Sequence, residues 1–188
     1  MEISFRDLIT VLHGMGFGAL FMLAFSGAIG VIYATAAAGA DSPIARQSKT
    51  MFRFYLISMA TLAWLAVLSG AYIIYPWYRA VVPSGVTDLS GYPRALLLSS
   101  PRTAGWHELG MEWKEHIAWF TPIAMTMVAY VFIKYGPQLA LHRQMRNAVL
   151  GFTAVAFFAT AVAGGFGAFL NKYAPVRGGH EIILFRQD

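Results

Sequence analysis

Four stretches of this chain run long without a formal charge, and no other feature restricts its fold as much. Between Asp7 and Asp41 lie 33 uncharged residues, between Arg53 and Arg79 lie 25, from His116 to Ile133 there are 18, and between Arg146 and Lys172 there are 25. About 20 apolar residues at the helical rise cover the ~30 Å hydrocarbon core of a bilayer, and a run of 18 or more marks a candidate span. The expected fold is all-α: an integral membrane four-helix bundle forming a single transmembrane domain over 1–188, with spans at approximately 8–35, 54–77, 113–135 and 147–171. The first run exceeds what a span needs, so its alanine-rich tail, Ala34 to Ala40, is expected to fray before Pro43. That tail also resembles a leader cleavage site, but the run is too long and Glu2 and Asp7 leave its front without positive charge, so a retained span is expected.

Composition narrows the chemistry. The chain is 57% hydrophobic and 12% charged, where a globular domain carries about 25% charged residues. It has no cysteine, which excludes disulfides, iron–sulfur clusters, thiolate zinc sites, covalently attached c-type haem and thiol catalysis. The net charge of +5 is not gathered on one face; basic residues sit at the ends of apolar runs, so no nucleic-acid partner is expected.

Orientation follows from the short loops. Arg46, Lys49, Arg53, Lys134, Arg143 and Arg146 face a single acid, Asp41, on one side, whereas the basic residues of the other side are spread over a longer sequence and balanced by acids. The dense positive side is expected to be cytoplasmic. Both termini and the long 78–115 segment then face outward, the periplasm in a bacterium, and the chain is placed as a multi-pass protein of a bacterial inner membrane. That segment opens on the interfacial aromatics Tyr75, Trp77 and Tyr78, and Ser100-Pro101 marks a helix start from which the third helix continues about ten residues above the membrane. Pro122 is expected to kink it or free a carbonyl. The tail 173–188 contains the strand-like Ile182-Ile183-Leu184-Phe185, expected to dock on a partner.

Histidine is the natural carrier of chemistry in such a chain, because ionisable groups at membrane depth are costly and are functional candidates by default. Of His13, His107, His116, His142 and His180, only His13 and His116 fall inside the runs, both toward the outer side and on different helices. His107 lies nine residues before His116, so the two point to opposite sides of one helix. His142 and His180 read as solvated groups. Two imidazoles from facing helices can hold a haem iron between them. Small residues where the ring would pass are present in His13-Gly14-Met15-Gly16-Phe17-Gly18 and in Ala163-Gly164-Gly165-Phe166-Gly167-Ala168, and Arg6, Arg79, Arg102 and Lys114 are available to propionates. The same glycines also read as ordinary small-residue packing motifs. His13 lies about five residues deeper than His116, roughly 7 Å, so a methionine (Met15, Met22 or Met111) or another subunit is the fallback ligand. Glu108, Glu112 and Glu115 recur at helical spacing beside Lys114 and Arg102 and read as a solvated, salt-bridged face rather than a metal site.

With its histidines on the first and third spans and a basic loop side, the chain resembles, at the level of fold, the small four-helix membrane b-type cytochrome subunits of respiratory or photosynthetic electron-transfer complexes. The resemblance implies a non-catalytic membrane subunit relaying electrons through one haem b near the periplasmic face. His13 and His116 would be the iron ligands, with Gly16, Gly165, Arg79 and Lys114 about the ring, and quinone nearby. The implied partners are other membrane subunits, a periplasmic redox protein and lipid. The alternative is a cofactor-free accessory or assembly subunit of such a complex.

Overall fold

The computed structural model describes residues 2–37, 43–139, 141–174 and 181–183. Four helices are long and apolar enough to cross a membrane, their candidate spans being Phe5–Gly30, Thr50–Tyr78, Pro101–Tyr135 and Arg143–Tyr173. The elements in chain order are strand β1 (Glu2–Ser4), helix α1 (5–37), helix α2 (43–78), a short helix α3 (Pro93–Leu98), helix α4 (101–135), helix α5 (Arg143–Tyr173) and strand β2 (Glu181–Ile183).

The helices begin where local chemistry lets them. Ser4 caps α1: its hydroxyl oxygen accepts from the Asp7 N–H at 3.0 Å while the Asp7 carboxylate accepts from the Ser4 N–H at 3.2 Å, a reciprocal capping box. Helix α4 starts at Pro101 with the Ser100 hydroxyl accepting from the Arg102 N–H at 3.3 Å, as the Ser-Pro pair implies. Ahead of Pro122, which has no N–H to donate to the turn before it, α4 tightens into a 3₁₀ turn at Ile117–Trp119.

Each long helix packs on its neighbours in a square, α1 on α2, α2 on α4, α4 on α5 and α5 back on α1, so that α1 and α4 stand across a diagonal. Lipid tails are as apolar as leucine, so close van der Waals fit and small residues, rather than removal from water, hold such helices together. The main core shows this: Phe21, Ile32, Leu56, Met59, Met125 and Val128 are filled in around Ala28, Ala60, Ala63, Ala124, Ala129 and Ala156. Tyr55 of α2 donates its hydroxyl to the Ala24 carbonyl of α1, passing over Gly27, where any Cβ would collide with the phenol. A smaller second core of Tyr78, Leu97, Met111, Leu170 and Ala174 closes the end of the bundle that carries both termini, here the terminal end. There Trp106 stacks on Phe169 at 4.5 Å and on Tyr173 at 6.0 Å, joining α4 to α5.

The tail does find a strand to pair with, in this chain itself: β2 lies antiparallel to β1 with Ile182 opposite Ile3 and Glu181 opposite Ser4. Residues 175–180 and 184–188, including His180, lie outside the described residues.

A polar layer at the terminal end

Helical regularity breaks at one level. Leu12–Ala19 of α1, Gly70–Ile74 of α2 and Trp106–Met111 of α4 are wound as π-helix, all in the terminal half, while the loop half stays α-helical. Such wide turns are rare and concentrate at functional sites. Between the main core and the smaller terminal core they frame a layer that holds His13, Ser69 and Lys114.

His13 is half-buried and turns its ring from α1 onto α2. Its Nδ1 lies 3.0 Å from the Ser69 hydroxyl oxygen, and that hydroxyl has its own acceptor, the Ala66 carbonyl at 3.1 Å. The Ala66 carbonyl is shared by the His13 ring and the Ser69 hydroxyl, and the three groups tie α1 to α2. The ring seats on Gly70, where a Cβ would come within 2.8 Å of the His13 Cε1. Across the diagonal, Lys114 of α4 reaches inward until its Nζ lies 2.9 Å from where a Cβ on Gly167 of α5 would stand, and its ammonium is within electrostatic reach of His13. Among the described residues Lys114 has no hydrogen-bond or ion-pair partner.

His116 does not join this layer. It stands on the outward face of α4 with its side chain 68% exposed, its Nδ1 3.0 Å from the Glu112 carbonyl and 3.5 Å from the Glu112 carboxylate. The reason is helical phase: α4 buries Met111, Thr121, Met125, Val128 and Phe132, Lys114 falls in with them, and a residue two positions on is turned about 200° around the axis. The expected facing pair of imidazoles is thus not formed. The glycines divide in the same way. Gly16 meets only Leu12 of its own helix and Gly165 is exposed with nothing within 4 Å, whereas in this layer Gly70 and Gly167 closely approach His13 and Lys114.

The salt-bridged acidic face is corrected as well. Among the described residues the ion pair found is His116 with Glu112; Lys114 turns inward, and neither Glu108 nor Glu115 pairs with a lysine or arginine. Arg79 packs over Tyr75 at 5.3 Å and donates to its hydroxyl at 3.0 Å, and Arg6 lies over Trp77 at 5.3 Å. His107 meets the buried Tyr78, Nδ1 to hydroxyl at 2.7 Å, and His142 is exposed at the start of α5.

Ser69, Gly70 and the inward course of Lys114 are the contributions that the sequence reading missed. The available signal was Ser69-Gly70-Ala71, three consecutive small residues with one hydroxyl in the second span, at the depth of His13. No group of three or more histidines and acids gathers to hold a metal ion among the described residues; an axial haem ligand needs no such group. Two apolar grooves, of about 380 Å³ (Gly27, Gly30, Met51, Phe52, Tyr55) and about 270 Å³ (Thr50, Arg53, Phe54, Ile57, Ile133), lie toward the loop end, away from the polar layer. No family model, curated protein or solved structure matches the chain.

Proposed function

We propose that this multi-pass membrane protein is a subunit of an electron-transfer complex, and that His13 is this chain's one axial ligand to a b-type haem. The observation that carries the proposal is a half-buried imidazole inside a span, its Nδ1 held 3.0 Å from the Ser69 hydroxyl of the neighbouring helix. Histidines that bind metals are oriented by the same device, a second-shell acceptor on the other ring nitrogen. When bound, the haem takes up and releases a single electron. Lys114, an ammonium with no partner among the described residues, supplies the cation that a propionate needs in a site poor in water. The basic residues Arg53, Lys134, Arg143 and Arg146 at the loop end support a cytoplasmic loop end; the haem would then lie toward the periplasmic side of an inner membrane, open to a redox protein and neighbouring subunits.

His116, as placed, does not fit a second ligand to the same iron. That observation favours the second reading, a cofactor-free accessory subunit of such a complex. The two part on coordination. One histidine leaves iron with an open position, so the haem-loaded protein is expected to be five-coordinate and high-spin, and to bind carbon monoxide on reduction. Absorption spectroscopy of protein purified from haem-replete membranes checks this; a preparation without haem leaves the accessory reading standing.

A further inference from the structure

At the loop end, the Ile133 carbonyl of α4 lacks its regular helical donor, because the residue four positions on is Pro137, which has no N–H. Arg53 of α2 fills the gap: its Nη2 donates to the Ile133 carbonyl at 3.4 Å, from one helix to the other. That bond is the only one the exposed guanidinium makes among the described residues, so its other N–H groups have no acceptor there. Beside it lies the apolar groove of about 270 Å³, walled by Thr50, Phe54 and Ile57 of α2 and Ile133 of α4, with Arg53 itself in the wall. Phe54 and Ile57 are exposed, so the groove opens on the apolar outside of two spans. Thr50 is the first residue of its candidate span. Thr50, Arg53, Phe54 and Ile57 recur at helical spacing, so the groove runs from there roughly 10 Å inward. Arg53 bounds the second uncharged run and Lys134 the third, and Lys134 holds its ammonium over Tyr130 and Tyr135 at 5.5 and 5.2 Å. Cations and tyrosines at span ends mark headgroup level. No residue within 43–57 or 133–150 is acidic, and the single acid of this side, Asp41, lies outside the described residues.

We propose that this groove between α2 and α4 holds an anionic phospholipid, its phosphate on Arg53 and the first stretch of an acyl chain along Phe54, Ile57 and Ile133. Three features select that ligand. A guanidinium tied at one nitrogen to a carbonyl is pre-oriented, and its other donors match phosphate oxygens in pairs. An apolar trough that leads from the cation into the span fits a lipid chain, which free phosphate lacks. Basic charge with no described acid beside it favours a net-negative headgroup over a zwitterionic one. The site stands at the opposite end of the bundle from His13, so it does not rest on the haem reading.

The test uses the full chain reconstituted in vesicles of phosphatidylcholine mixed with phosphatidylglycerol. Lipid retained after detergent extraction is counted by native mass spectrometry. Preferential retention of phosphatidylglycerol is expected, weakened about fivefold or more by Arg53→Gln, the share of one interfacial cation. Arg143→Gln removes an equal charge from an exposed position on the same end, outside the groove, and is expected to leave the preference unchanged. Ile57→Trp fills the trough while leaving Arg53 and its bond to Ile133 in place, and is expected to weaken phosphatidylglycerol retention to a similar degree. Helical circular dichroism separates lost binding from lost folding, and Ile57→Trp decides the matter if Arg53→Gln does not fold. Equal retention of the two lipids, a preference indifferent to Arg53→Gln in folded protein, an equal loss from Arg143→Gln, or full retention in Ile57→Trp overturns the proposal. Stabilisation by inorganic phosphate with the same Arg53 dependence but no lipid preference identifies free phosphate as the ligand and overturns the lipid assignment.

Discussion

His13→Ala is expected to abolish haem binding, whereas His116→Ala is expected to leave the absorption spectrum of the loaded protein unchanged. The contrast follows from where the two rings point. His13 carries an orienting serine on the neighbouring helix and a seat on Gly70; His116 carries a hydrogen bond to its own helix and a side chain turned outward. Removing the imidazole at 13 takes away the nitrogen that binds iron. Removing it at 116 costs only an exposed contact with Glu112, worth a few tenths of a kcal/mol at most for such i,i+4 pairs. A bis-histidine site predicts equal loss from both substitutions, so the pair of spectra decides between them.

Gly70→Val is expected to damage packing and site together. A Cβ at position 70 lies 2.8 Å from the His13 Cε1, closer than real carbon contacts permit. The second branch of valine adds to the crowding on a π-wound turn, so the imidazole must leave Ser69 or α1 must move off α2. Overpacking of this kind costs about 1–3 kcal/mol, and a displaced ring also loses the hydrogen bond to Ser69 that orients it. Lower resistance to denaturant in detergent, combined with weakened haem retention, is the expected outcome. Gly14→Val, at a position with open space around it, serves as the control and is expected to keep haem.

The fold was legible in the chain because membrane spans are set by length without charge, and charge boundaries mark depth along each helix. Depth placed His13 correctly as an interior ionisable group and led from Ser100-Pro101 to the extended start of α4. Azimuth was not legible. In a soluble helix the polar face shows which side is buried, but in lipid both faces are apolar, and α4 exposes Phe120, Ile123 and Tyr130 as readily as it buries Met125 and Phe132. Hence His116 is paired with His13 only as the other histidine inside an uncharged run toward the same side, and the hydrophobic pattern does not reveal that Lys114 is the residue turned inward. The glycines misled for the same reason: within one cluster Gly165 meets nothing while Gly167 meets Lys114, and Gly27, Gly70 and Gly110, outside both clusters, also meet side chains of other helices. The missing carboxylate partner for Lys114 escapes a reading that balances charges by proximity in sequence.

The most direct test of the account is a count of histidine nitrogens on the haem iron. Pulsed electron paramagnetic resonance of the oxidised, haem-loaded protein is predicted to show one axial imidazole nitrogen, absent from His13→Ala and retained in His116→Ala. Two equivalent axial imidazoles, or one that survives the loss of His13, would contradict it.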